Sequence, residues 1–334
     1  MIKKLSMALA VVSLCLALGA GSALAQTLKL QCAYPQTAYA GQSTQLFANE
    51  VKRLTGGKLE VKVFWPGQLV KTKEAFDAVR QGMIDGYSGS LLYFAGLVPE
   101  VNCQWLPFNW SDPADAKEIM LKKGYMDIMS QATAKHGVTY LAPLSVATMG
   151  LMTKFPVNKL EDLKGKKIRA VGMEAHIVGA LGASAVAIAG AEQYMALQRG
   201  TVDGTDYPWY TMEKYKFYEV LKYIIDPAFH TPGVIEIVIN AETFKKLPAD
   251  QQKAVKQAAL NAMEYSFSMT PQFDQVALES AQKRGVKIIK LSKEEVKRFR
   301  KALQPLWDAQ AKRSELSAKL VEILRAHLKA KGEL

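Results

Sequence analysis

The sequence predicts an α/β protein of two domains, with a central ligand cleft and long connecting and C-terminal helices. Three observations predict it. Strand-like and helix-like patterns alternate from residue 28 onward, which favours sheets covered by helices over an all-α or all-β fold. The order of strand and helix restarts near Leu160, as a second unit does. Beyond residue 249 the chain reads mostly as long amphipathic helices, one of them bent or divided by Pro271.

The elements follow in order. Residues 28–33 alternate and form a first strand. Residues 42–54 carry apolar side chains at helical spacing and stop at Gly56-Gly57. Residues 59–64 alternate strictly and form a second strand, and a helix over 72–81 stops at Gly82 before a short strand from Ile84. Asp112-Pro113 opens a helix that runs toward Lys135, and 138–142 is the next strand. The second unit begins with a helical turn at Leu160. It continues with the strand around Arg169, helices at 174–181 and 192–199, and an apolar strand at 234–240. A late strand at 286–291 precedes charged helix over 292–331.

The N-terminus reads as a leader. Lys3 and Lys4 precede an apolar stretch over 5–20, and Ala23-Leu24-Ala25 is a small-x-small cleavage site, so the mature chain is expected to start at Gln26. The stretch is short and ends in Gly19, Gly21 and Ser22, which disfavours a membrane anchor. Cys15, preceded by Leu14, makes a poor lipoprotein site. The remaining length suits two domains: 26–148 with 238–270, and 149–237 with 271–334. Export permits a disulfide between Cys32 and Cys103, while their apolar surroundings equally suit two buried thiols.

The chain holds 43 Lys and Arg against 31 Asp and Glu, a net +12. The lysines are spread among acids, as in Lys293-Glu294-Glu295-Val296-Lys297, which describes a solvated surface rather than a nucleic-acid or membrane face. Catalytic patterns are missing. His136, His176, His230 and His327 form no metal-binding pair, and there is no nucleophile elbow, P-loop or dinucleotide fingerprint.

Arg169 is the residue that points to a function. A guanidinium on a half-buried strand is costly unless an anion meets its fork of donors, and the strand itself offers no acid. An ion pair with Glu161, Asp162 or a distant acid is the structural alternative. The strand ends at Gly172, however, and in open α/β sheets ligands bind at the carboxyl ends of strands. A ligand carboxylate is therefore the expected partner.

The chain resembles the solute-binding proteins of tripartite ATP-independent periplasmic (TRAP) transporters. The resemblance rests on Phe47-Ala48 through Thr55-Gly56-Gly57, Val63-Phe64-Trp65-Pro66-Gly67-Gln68-Leu69 and Val79-Arg80-Gln81-Gly82-Met83-Ile84-Asp85. Leu106-Pro107-Phe108, Leu163-Lys164-Gly165-Lys166-Lys167-Ile168-Arg169 and residues 194–204 add to it, so that it spans nearly the whole mature chain.

The resemblance implies a periplasmic, monomeric, non-enzymatic protein that closes on a small organic anion. It then delivers the anion to small and large membrane permease subunits driven by an ion gradient. Arg169 matches the carboxylate clamp. Where many members carry Asn-Pro, this chain has Asp206-Tyr207-Pro208, a departure that resembles a branch binding 2-oxo acids. In that branch a glutamate after Pro-Gly helps hold a cation bridging to the ligand; Pro232-Gly233 places Glu236 there, with Thr148 and Asp206 as further oxygens. Gln36, Tyr39, Tyr87 and Ser88 lie just beyond strand ends and complete the expected lining. The expected ligand is a 2-oxo or 2-hydroxy monocarboxylate, with aromatic acids, small sulfonates and a sensor or enzyme role as alternatives.

Overall fold

In β1 (Gln26–Cys32) the side chains of Leu28, Leu30 and Cys32 turn inward while Lys29 stays in solvent, the period of two that the sequence shows. This is the start of a computed structural model that describes residues 26–333; the leader read over 1–25 lies outside the described residues. Helix Tyr39–Leu54 follows and buries Tyr39, Ser43, Phe47 and Val51 along one face. Gly41 is required in it, because a Cβ there would stand 2.1 Å from the carbonyl oxygen of Pro35. β2 (Leu59–Phe64) and β3 (Gly86–Gly89) flank β1 in parallel. β10 (Val234–Asn240) then runs antiparallel to both β3 and β4 (Val138–Ser145). The first sheet therefore has the order β2-β1-β3-β10-β4.

A second sheet has the order β11-β9-β5-β8-β6-β7. It comprises β5 (Met149–Thr153), β6 (Lys167–Arg169), β7 (Ser184–Val186), β8 (Gly204–Pro208), β9 (Tyr223–Asp226) and β11 (Lys287–Lys290). All of β8 is buried, as is all of β10, whose Val-Ile-Glu-Ile-Val-Ile run has the near-continuous apolar character of an interior strand. Among the described residues no helix is long and apolar enough to cross a membrane.

Three passages of chain join the sheets, and they lie side by side. The β4–β5 passage at 146–148 and the β9–β10 passage at 227–233 are laced by backbone bonds. Val146 N donates to Gly233 O at 2.9 Å, Gly233 N to Ala147 O at 3.0 Å, and His230 N to Met149 O at 3.1 Å. The third passage is the junction of helices Ala249–Ser268 and Thr270–Lys283, with Pro271 in the first turn of the second, where its missing N–H costs nothing. Ser145 ties this junction to the others: its amide donates to Ser266 Oγ at 3.0 Å, and its hydroxyl meets Thr270 Oγ1 at 2.6 Å.

Several sequence expectations need correction. A domain boundary between residues 237 and 238 falls inside β10, which belongs entirely to the first sheet; the chain returns before Val234. Assigning all of 271–334 to the second domain misplaces helix Glu315–Ala330. It buries Leu316, Leu320, Leu324 and Leu328 and packs against helix Tyr125–Ala134 and the turn Pro99–Trp105, on the first domain. The helix expected from Asp112 toward Lys135 is two helices, divided at Gly124, whose φ of 76° favours glycine. Of the two readings of the cysteines, the structure has the buried thiols: Cys32 and Cys103 are separate, and burial pushes them up to about 11 and about 12.

Candidate functional site

Arg169 ends β6 and is 1% exposed at the seam between the two domains. Its fork is well supplied. Nε donates to Ile188 O at 2.9 Å, Nη1 to Glu174 Oε2 at 3.0 Å and to Asp206 O at 3.4 Å, and Nη2 to Tyr93 Oη at 2.7 Å. The Tyr207 ring lies over the guanidinium, 4.9 Å from its carbon. Arg169 thus has an acidic partner inside the protein, Glu174, which the sequence reading did not name. The strand's end turns at Gly172, and the first turn of helix Met173–Ala180 carries that acid back over the arginine. An acid in the first turn of the helix after the strand was the signal available for it.

The cluster spans both domains. Tyr93, from the turn Leu91–Phe94 beside the first sheet, accepts from Arg169 and also from Gly190 N at 3.1 Å. Tyr34, Tyr87 and Tyr93 on that side face Tyr207 and Tyr210 on the other, near enough to raise one another's hydroxyl pKa, burial being the larger cause. These hydroxyls therefore stay protonated and act as donors. Those of Tyr87 and Tyr210 have no partner in the protein. Gly190 makes room for Tyr207, since a Cβ there would stand 2.3 Å from the Tyr207 hydroxyl.

Asp206, on β8, is fully buried with both carboxylate oxygens unpartnered. Burial and the nearby Glu174 hold its carboxyl well above the usual carboxylate range, against the pull of Arg169. Glu174 is itself pushed up to about 7 by burial, again against Arg169.

Of the expected lining, Arg169, Asp206, Tyr207 and Tyr87 come together. Tyr39 lies close by; its ring stacks on Phe273 at 3.6 Å and meets Tyr210 at 4.7 Å. The others sit elsewhere. Gln36 is exposed on the turn after β1, and buried Tyr34 holds the place it was given. The Ser88 hydroxyl, one residue out of phase with Tyr87, is 2.7 Å from Thr44 Oγ1 beneath helix Tyr39–Leu54. Thr148 donates from its amide and hydroxyl to Asp274, at 2.9 and 2.6 Å, at the passage between sheets.

Glu236 also lies away from Arg169. Its Oε2 accepts from Leu91 N at 2.7 Å, its Oε1 pairs with the Gln104 amide, and burial pushes it up to about 8. A bridging cation needs several ionised or carbonyl oxygens. The three residues expected to supply them do not fit: the Glu236 oxygens are taken by Leu91 N and the Gln104 amide in the first domain, Thr148 is taken by Asp274, and Asp206 stands on β8 of the second domain. Among the described residues no three His, Cys, Asp or Glu side chains stand together as metal ligands.

Two α/β units joined by three adjacent passages, with a sealed cluster of arginine, acids and tyrosine hydroxyls at their seam, define a two-domain binding protein. Residues 32–314 match the bacterial extracellular solute-binding protein family 7, and the chain belongs to it. It is a TRAP-type solute receptor, in a family of binding proteins rather than enzymes that work outside the cytoplasm. The 2,3-diketo-L-gulonate-binding periplasmic protein YiaO of Escherichia coli is 27% identical, over 82% of this chain and 84% of that protein. The monocarboxylate 2-oxoacid-binding periplasmic protein of Nostoc is 24% identical, over 80% of this chain and 74% of that one. A TRAP solute-binding protein of Desulfovibrio salexigens, solved with bound orotic acid, has the same fold. It gives a TM-score of 0.84 at 24% identity, covering 91% of this chain and 99% of the other.

Proposed function

We propose that the protein captures a small monocarboxylate, of the 2-oxo or 2-hydroxy kind, in the periplasm and hands it to TRAP membrane permease subunits. The observation that carries the reading is Arg169, a buried guanidinium at the domain seam with one Nη2 N–H free of protein acceptors. Near Tyr207, the hydroxyls of Tyr87 and Tyr210, without partners in the protein, would supply donors for a second oxygen such as an oxo group or hydroxyl. The ring of Tyr207 over the guanidinium fixes its plane and leaves little room, which suits a short acid. Two relatives are named for ligands with an oxo group, and this supports the same class here.

Binding follows from the geometry. With the domains apart, Arg169 and Tyr207 face solvent from the second domain, and Tyr34, Tyr87 and Tyr93 face it from the first. A carboxylate bound to one side gains the donors of the other only on closure, so ligand shifts the population toward the closed form. A thermal-shift screen of small organic acids tests this. A ligand at about 100 times its dissociation constant stabilises the protein by about 2.7 kcal/mol. The expected hits are 2-oxo and 2-hydroxy monocarboxylates, and hits confined to dicarboxylates or amines overturn the reading.

A further inference from the structure

We propose that Glu174 is the resident counter-ion of Arg169 and takes up a proton when the ligand carboxylate arrives, so that the acid is captured together with one proton. The inference rests on the reading of Arg169 as the carboxylate clamp. A guanidinium has five N–H donors. Ile188 O, Glu174, Asp206 O and the Tyr93 hydroxyl take four of them, which leaves one on Nη2. In the ligand-free site the arginine's charge is met by Glu174.

Glu174 has no route away from the arginine. It stands in the first turn of its helix, 3% exposed, and its Oε2 also accepts from Val171 N at 3.1 Å. An incoming carboxylate therefore shares the cation with Glu174, and the Asp206 carboxyl lies beside both. Two anions on one cation in a dry site repel strongly, because little solvent screens them. The groups facing Glu174 are Arg169 on β6, Asp206 and Tyr207 on β8, and Tyr93 from the first domain. The tyrosines are donors that stay protonated, and the Asp206 carboxyl, raised by burial and by Glu174, has no donor in the protein, whereas Glu174 accepts from Arg169 and Val171 N. Glu174 is the group left to change, and burial has brought it to about 7, where a proton is within reach. Charge balances: the pair Arg169 cation and Glu174 carboxylate becomes Arg169 cation and ligand carboxylate, with a neutral Glu174. The proton comes from solvent before closure.

The test is calorimetric titration of the parent and Glu174→Gln with pyruvate as probe, in phosphate and in Tris. The parent should show a buffer-dependent heat equal to nearly one proton taken up per pyruvate at alkaline pH. Its affinity should fall about tenfold per pH unit above about pH 7. Glu174→Gln should show no buffer dependence, a flat pH profile and tighter binding than the parent at alkaline pH. Buffer-independent heat in the parent, or uptake that survives in the variant, overturns the proposal.

A ligand-free arm decides the matter if pyruvate binds neither protein. Folded Glu174 holds its proton more tightly than the unfolded chain does, so the parent loses stability as pH rises from about 4.5 toward 7. Glu174→Gln should lack that part of the loss; identical profiles overturn the proposal. A difference here without pyruvate binding would sink the choice of 2-oxo acid and leave the role of Glu174 standing.

Discussion

Replacing Glu236 by glutamine separates a neutral core acid from a charged ligand-holding one. The side chain is fully buried; Leu91 N and the Gln104 amide meet its two oxygens, and among the described residues it has no basic partner. Tyr87, Tyr125 and Tyr140 lie near enough to feel it, each with its hydroxyl pKa raised chiefly by burial. Burial moves the carboxyl from 4.5 to about 8. A raised folded pKa means stability that is full below the unfolded value and is lost as pH rises toward the folded one. At pH 7 the loss is about 2.5 pKa units, or about 3 kcal/mol. Glutamine carries no such loss and has the same shape. Gln104 Oε1 lacks a partner, so a turned Gln104 amide accepts from the new N–H as well as from a neutral Glu236 O–H. Urea unfolding followed by tryptophan fluorescence from about pH 5 to 8 should show Glu236→Gln gaining on the parent by about 3 kcal/mol over that range. A variant that is several kcal/mol weaker at every pH, or a pH-independent difference, would refute the reasoning. Either result is what an ionised, cation-holding carboxylate gives.

Arg169→Met should abolish organic-acid binding in calorimetry and destabilise the protein by about 3–5 kcal/mol, because it strands Glu174; adding Glu174→Gln should restore much of the stability but none of the binding. Arg169→Lys keeps the charge and loses the fork, and its affinity for the same acid should fall at least about tenfold. Gly190→Ala forces the Tyr207 hydroxyl to move and should weaken binding about tenfold or more with little change in the urea midpoint of the ligand-free protein. Ellman's reagent should find neither Cys32 nor Cys103 reactive in the native protein and both reactive in denaturant, since both are buried and raised.

The parts of the fold that were legible in the sequence are those with local causes. The alternation of β1 and β2, the Gly56-Gly57 stop and the Pro271 break each follow from neighbouring residues, and each is where the sequence puts it. β5, β7, β8 and β9 are absent from the sequence reading. They are short, and β7 has only Ser184, Ala185 and Val186, so their strand character comes from the ladder partners. The site divides similarly. Arg169 and Tyr207 were found from their own chemistry and motif position, and Asp206 comes with them on β8. Glu236 was placed by the Pro-Gly motif of the resemblance, and Ser88 by proximity to a strand end. The pleat decides which way a side chain faces, however, and a shift of one residue sends it to the opposite face. That is why Tyr87 reaches the seam and Ser88 meets Thr44.

Thr148 shows how a residue can be near the right place for a different reason. It sits at the end of the β4–β5 passage, where a pocket lining was expected, and spends its amide and hydroxyl on Asp274. Asp274 lies one turn into the helix that follows the Pro271 junction. The bond therefore joins two of the three passages between the sheets, while the ladder of Val146, Gly233, Met149 and His230 joins the third. Chain passages fastened together move as one strip. On the proposed function, closure over a ligand would be a rotation about that strip, bringing Tyr93 onto Arg169 and Gly190 in one movement. On that reading Thr148 would act on binding through the axis of closure, and the ligand's own contacts would come from the tyrosines and the arginine that this rotation brings together.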